Sequence, residues 1–145
     1  MRGDKIVKQN KKRIYGGLLA VVMTLLLGGC TFSQNKTEKI RDLEYTIMNE
    51  KELPEELKAE IENSKEAGFK YTYSDGQYLY IANGYGKQET GGYSIQMKEL
   101  YLTDNAIYFK AELYGPQNGE TVSKASSYPY IVIKTEMMDF PVVFE

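Results

Sequence analysis

The side chains able to do chemistry in this chain are carboxylates, lysines, tyrosines and one thiol, because its 145 residues contain no His, no Trp and a single Cys. Without imidazole there is neither a Ser-His-Asp triad nor a Cys-His pair, and one Cys makes neither an internal disulfide nor a thiolate zinc cluster. The pairs Asp42/Glu44 and Glu55/Glu56 have the residue types of a glycosidase acid and base. Glu55 and Glu56, however, follow Pro54 at what reads as a helix start, where the helix dipole favours acidic residues. Asp42 and Glu44 lie on a strand pattern with no pocket wall beside them. No loop has the oxygen-ligand spacing of a calcium site. Residues 83–93 (Asn-Gly-Tyr-Gly-Lys-Gln-Glu-Thr-Gly-Gly-Tyr) hold four glycines, yet lack the GxGxxG order and the Lys-Ser/Thr ending of a phosphate cradle. The expectation is a protein that is not an enzyme and uses no cofactor and no metal.

Recognition remains. The chain has 13 Tyr, and Tyr85, Tyr93, Tyr114 and Tyr128 flank two long loops. The competing reading is ordinary strand tyrosine, half-buried with a wet hydroxyl. Tyr85, Gly91, Gly92, Tyr93 and Tyr128 are the candidate partner-binding residues, with Tyr85 expected to be the most exposed. Gly91-Gly92 reads as a bulge or a close strand approach.

Eighteen Lys+Arg against 20 Asp+Glu give a net charge of −2, which is no footprint for nucleic acid. The average conceals a division. Residues 1–29 carry six basic side chains and one acid, a net of +5, whereas residues 30–145 carry 12 basic and 19 acidic, a net of −7. After Arg13 an uncharged stretch of 16 residues runs from Ile14 to Gly29. As a helix it would reach about 24 Å at ~1.5 Å per residue, short of the ~30 Å hydrocarbon core. A basic start, an apolar middle and small residues at the end form the pattern of a secretory signal peptide.

Leu27-Gly28-Gly29-Cys30 resembles the bacterial lipobox, in which the Cys receives a diacylglycerol and signal peptidase II cuts before it. That resemblance makes Leu27, Gly28 and Gly29 the peptidase recognition residues and Cys30 the lipid attachment site. It also implies a location at the cell membrane, lipid-anchored on its extracytoplasmic face. The mature chain would have 116 residues, a size suited to one domain. The expected organisation is a signal peptide over 1–29, the lipidated Cys and a flexible tether over 30–39, and one β-rich domain over 40–145. The polar tether has a root-mean-square reach of about 17 Å.

The elements that must position the candidate residues follow from periodicity. Leu43, Tyr45 and Ile47 recur at period two and predict a half-buried strand over 42–48 with those three side chains on one face. Leu53, Leu57 and Ile61 recur every four residues, and with Pro54 at the start and Gly68 as the stop they predict an amphipathic helix over about 54–67. Phe69, Tyr71 and Tyr73 alternate with polar residues up to Asp75-Gly76, and a second run begins at Gln77. Asp-Gly between such runs predicts a two-residue hairpin turn, because both central residues tolerate positive φ. A second hairpin at Asp104-Asn105 joins residues 93–103 to 106–114, with Ile107, Phe109, Ala111 and Leu113 on one face. After a polar loop over 115–127, Pro129 opens an edge strand through Lys134, and Pro141 a short last one. The predicted fold is mainly β, a compact antiparallel β-sandwich or partly closed barrel with one packed α-helix.

Three segments taken in order, Thr90-Gly91-Gly92-Tyr93-Ser94-Ile95, then Gly115-Pro116, then Ser127-Tyr128-Pro129-Tyr130-Ile131-Val132-Ile133, resemble the PrcB C-terminal domain family over roughly residues 78–144. The resemblance implies a β-rich, non-catalytic domain of a small lipoprotein that accompanies a surface protease and supports assembly of its complex. The expected partners are therefore the membrane, through acylated Cys30, and a protein, with a surface protease as a candidate. Two alternatives stay open. One is a protease inhibitor, since Thr90-Gly91-Gly92-Tyr93 is loosely similar to the Thr-Thr-Gly-Tyr loop of chagasin-like inhibitors but has one extra Gly. The other is a lipoprotein binding cell-wall glycan or a small molecule, with Tyr rings stacking on sugars.

Overall fold

A computed structural model describes residues 38–145; the expected signal peptide, its lipobox and most of the tether lie outside them. Among the described residues eight strands are formed: β1 (Arg41–Asp42), β2 (Tyr45–Ile47), β3 (Phe69–Ser74), β4 (Tyr78–Gly84), β5 (Ser94–Leu102), β6 (Ile107–Tyr114), β7 (Tyr130–Glu136) and β8 (Val142–Phe144). A 3-10 turn (Glu50–Glu52) and one helix, α1 (Glu55–Ser64), separate β2 from β3. The strands make two four-stranded sheets, ordered β1-β5-β6-β8 and β2-β7-β4-β3. Neither sheet closes on itself, so of the two predicted architectures the sandwich with one helix is the one formed. Pairing is antiparallel throughout except that β8 runs parallel to β6.

Alternation along β6 builds the inner core. Ile107, Phe109 and Ala111 point inward and meet Leu79 and Ile81 of β4 and Ile131 and Ile133 of β7. The opposite face of the second sheet is also apolar, with Tyr80, Ala82 and Val132, and Leu53, Leu57 and Ile61 pack onto it beside Phe69. β4 is thus buried on both faces. Each Leu or Ile removed from water in this way contributes about 1.5–3 kcal/mol, which is what pins α1 to the sheet.

α1 begins one residue later than its apolar spacing predicts and stops three earlier. Pro54 stands before the first helical residue, and its carbonyl accepts from the Lys58 amide at 3.0 Å. Gly68 ends the helical region at φ +83°, its amide donating to the Ser64 carbonyl at 3.1 Å. A side chain at that φ is strained, so glycine suits the stop.

The β3–β4 hairpin has the predicted two-residue loop, shifted by one position. Asp75 pairs with Tyr78, its amide donating to the Tyr78 carbonyl at 3.3 Å, so Gly76 and Gln77 are the loop residues, and only Gly76 has positive φ, at +88°. The Asp75 carboxylate accepts from the amides of Tyr78 at 2.7 Å and Gln77 at 2.9 Å. These bonds hold the turn from the side chain of the residue that precedes it. At the β5–β6 turn the Thr103 hydroxyl plays a similar part, accepting from the Ala106 amide at 3.1 Å.

Residues 42–48 do not form one strand with one buried face. The chain pairs with β5 through β1, buries Leu43 in the inner core, then crosses to the other sheet and pairs with β7 through β2. Tyr45 and Ile47 therefore sit on a sheet edge, 42% and 57% exposed. Period-two spacing was preserved across a break that changes which sheet each side chain belongs to. Pro129 does not open an edge strand either, because β7 lies between β2 and β4. It precedes β7 in the loop, where its missing N–H costs no ladder bond and its carbonyl accepts from the Tyr85 amide at 3.0 Å.

Candidate functional site

Both long loops emerge at the same end of the sandwich, where β4 and β6 finish and β5 and β7 begin. Backbone bonds join them. Gln88 and Ser127 exchange amide-to-carbonyl bonds at 2.8 and 3.0 Å, and the Gly91 amide donates to the Ser123 carbonyl at 2.9 Å. The Ser127 hydroxyl donates to the Thr90 carbonyl at 2.6 Å. Two loops far apart in sequence thus become one surface.

The glycines explain how the loops approach so closely. A Cβ on Gly92, whose φ is +83°, would lie 2.4 Å from Val122 Cγ1, and one on Gly91 would lie 3.3 Å from Ser123 Cβ. Gly115 lies under the ring of Tyr93, where its own Cβ would be 3.2 Å from Cε1. Contrary to expectation, Gly91-Gly92 is thus neither a bulge nor a close approach to a strand, but closes on the second loop.

Tyr85 behaves differently from expectation. It is half-buried rather than the most exposed of the set, and its hydroxyl donates to the Ala111 carbonyl at 2.8 Å. Burial pushes its phenol above the ordinary range, and the Glu112 carboxylate adds to that. Its neighbouring glycines made it look like the tip of a flexible loop; instead it spans from the β4 side to β6.

Tyr93 and Tyr128 remain partly exposed on this end, at different places. Tyr93 covers Gly115 beside β6. Tyr128 leans on the C-terminal turn of α1, with Lys65 Nζ 5.3 Å from its ring centre and its hydroxyl 3.3 Å from Glu66 Oε1. The Lys87 amide, donating to the Glu66 carbonyl at 3.0 Å, ties the first loop to the same turn. Lys65 and Glu66 are thus part of this surface. Sequence reading missed them because they end a helix whose pattern reports only its packed stripe.

The two carboxylate pairs lie in different places, and, contrary to expectation, Asp42 and Glu44 do line a groove, of about 460 Å³, with Arg41, Tyr78 and Glu136. Glu55 pairs with Lys58 at 2.8 Å, Glu56 accepts from the Tyr73 hydroxyl at 3.5 Å, and Asp42 pairs with Lys39 at 2.6 Å. Glu56 and Glu60 edge a shallow groove of about 470 Å³ between α1 and β3, walled by Tyr71 and Tyr73 and away from the loop end. No group of His, Cys, Asp and Glu suited to a metal ion occurs among the described residues. Nor is any helix among them long and apolar enough to cross a membrane. Leu27, Gly28, Gly29 and Cys30 lie outside the described residues.

The described part is a β-sandwich module with one packed helix and two loops bonded together at one end. Residues 79–136 match the PrcB C-terminal family, as the three ordered segments led us to expect. The match runs from β4 through β7 and takes in both loops. No curated protein and no solved structure matches the chain.

Proposed function

We propose that this chain is a lipid-anchored extracytoplasmic protein whose domain is non-catalytic and binds a protein partner through its paired loops, as an accessory or assembly subunit of a surface protease or envelope complex. The observation that carries the reading is the family match over 79–136, because that segment contains both loops and the family suggests a subunit related to a protease complex. The anchor rests on Leu27-Gly28-Gly29-Cys30, with the only thiol of the chain at the position a lipobox requires. Two or three acyl chains hold a protein firmly where one holds it marginally.

The test is a detergent pull-down of the acylated protein from its own membranes, beside a Tyr93→Ala/Tyr128→Ala variant, read by mass spectrometry. Tyr85 is left intact because its hydroxyl bonds the two sheets together. A protease or envelope complex recovered with wild type and lost in the variant supports the reading and locates the surface. Recovery of no protein by either form overturns it; sedimentation with purified cell wall would then favour a glycan binder. Inhibition of a papain-like protease by the isolated protein would favour the inhibitor. Cys30→Ser should leave an uncleaved, non-acylated precursor.

A further inference from the structure

The described chain enters the sandwich at the end opposite the paired loops. Ile40 donates its amide to the Leu102 carbonyl at 2.8 Å, just before the Asp104-Asn105 turn. The segment between β7 and β8 crosses the same end, where Met138 packs on the inner core and the Pro141 carbonyl accepts from the Ile107 amide at 2.9 Å. Ile40, Met137 and Phe140 expose large apolar side chains there, at 61%, 43% and 38%.

From the geometry we infer that this end of the sandwich rests on the lipid surface through Ile40, Met137 and Phe140, with the paired loops facing away from the membrane. The inference rests on the proposed anchor at Cys30. Eight residues, 30–37, separate that Cys inclusively from the first described residue, and a chain of that length reaches only about 16 Å. The nine residues of β5 put the loop end about 30 Å farther out at ~3.4 Å per residue. A tether this short makes contact with the bilayer effectively intramolecular, at millimolar local concentration, so three apolar side chains suffice where they would not capture a free protein. Asp104 and Asp139 stand exposed among them, so anionic lipid would repel this end and the contact draws only on its apolar side chains.

The full acylated chain has no free thiol once Cys30 carries lipid, so an introduced Cys takes a fluorophore alone. Asp104→Cys and Asp139→Cys, which leave the three apolar side chains in place, and the exposed loop position Asn118→Cys are labelled and placed in phosphatidylcholine vesicles containing brominated lipid. Quenching at 104 and 139 should exceed that at 118 by at least about threefold, since the contact is shallow but reaches the acyl boundary. Ile40→Ser should reduce it at 139 and leave 118 unchanged. Equal quenching at all three sites, on protein whose mass shows the lipid, overturns the contact and leaves the anchor standing. A mass without lipid overturns the anchor, and this inference falls with it.

Discussion

The Tyr85 hydroxyl bonds the Ala111 carbonyl where β6, still paired with β5, runs out of partner on its other edge. β8 pairs with β6 only over Ile107, Tyr108 and Phe109, and the Glu145 amide donates to the Phe109 carbonyl at 3.0 Å. Two residues on, Ala111 presents its carbonyl on the same edge, and a side chain from the end of β4 takes the place of a strand. The bond couples the two sheets at the base of the loop surface.

Tyr85→Phe removes that donor and leaves a part-buried carbonyl without it. The expected loss is about 1–3 kcal/mol, seen as a lower urea midpoint at unchanged slope. The same phenol predicts an alkaline limit. Its folded pKa is raised, so the unfolded chain ionises first; the stabilisation is complete below the ordinary tyrosine pKa of about 10 and lost as pH rises through the folded value. Tyr80 and Tyr130, also raised chiefly by burial, act in the same direction. Unfolding midpoints between pH 8 and 11 check this, and Tyr85→Phe should show the weaker alkaline dependence.

Gly92→Ala places a Cβ against Val122 at a φ of +83°. The strain of that backbone alone costs about 1–2 kcal/mol. Pairing it with Val122→Ala should recover the steric part and leave the backbone part. Thermal melts of the three variants separate the two, and limited proteolysis should find the 115–127 loop cut faster in Gly92→Ala.

Asp75 has its pKa lowered, chiefly by the Tyr78 and Gln77 amides. A depressed carboxylate stabilises the fold above its unfolded pKa, and the contribution disappears as pH falls through the folded value. Wild type should therefore lose stability on acidification more steeply than Asp75→Asn. Chemical denaturation at pH 7, 5 and 3 reads the difference.

Leu57→Ala should cost about 2–5 kcal/mol, because its side chain fills the layer between α1 and the second sheet. That layer is separate from the inner core around Phe109. Hydrogen exchange is expected to rise first in α1 and β3 and later in β5 and β6.

The elements most legible in the sequence were those whose neighbours are local. β6 shows its inward face through Ile107, Phe109 and Ala111 because one sheet and one core govern its whole length. The stripe Leu53, Leu57, Ile61 predicted a packed helix for the same reason. Residues 42–48 were misread because a period of two survives a change of sheet, and nothing within seven residues reports the break at Leu43. The loop surface was half legible. Glycines marked Gly91-Gly92 as a close approach, but what they approach is Val122, some thirty residues away. Tyr85 was misplaced because its partner is defined by where β8 ends, which is a property of the assembled sheet.

The crossing at Leu43 has a mechanical side. A pull on Glu38 loads the Ile40 and Leu43 amide bonds to β5. Past Leu43 the same backbone is bonded to β7, with the Glu44 carbonyl accepting from the Thr135 hydroxyl at 2.7 Å. Force entering at Glu38 meets bonds to both sheets within the first few residues, so the domain resists being unravelled from this end.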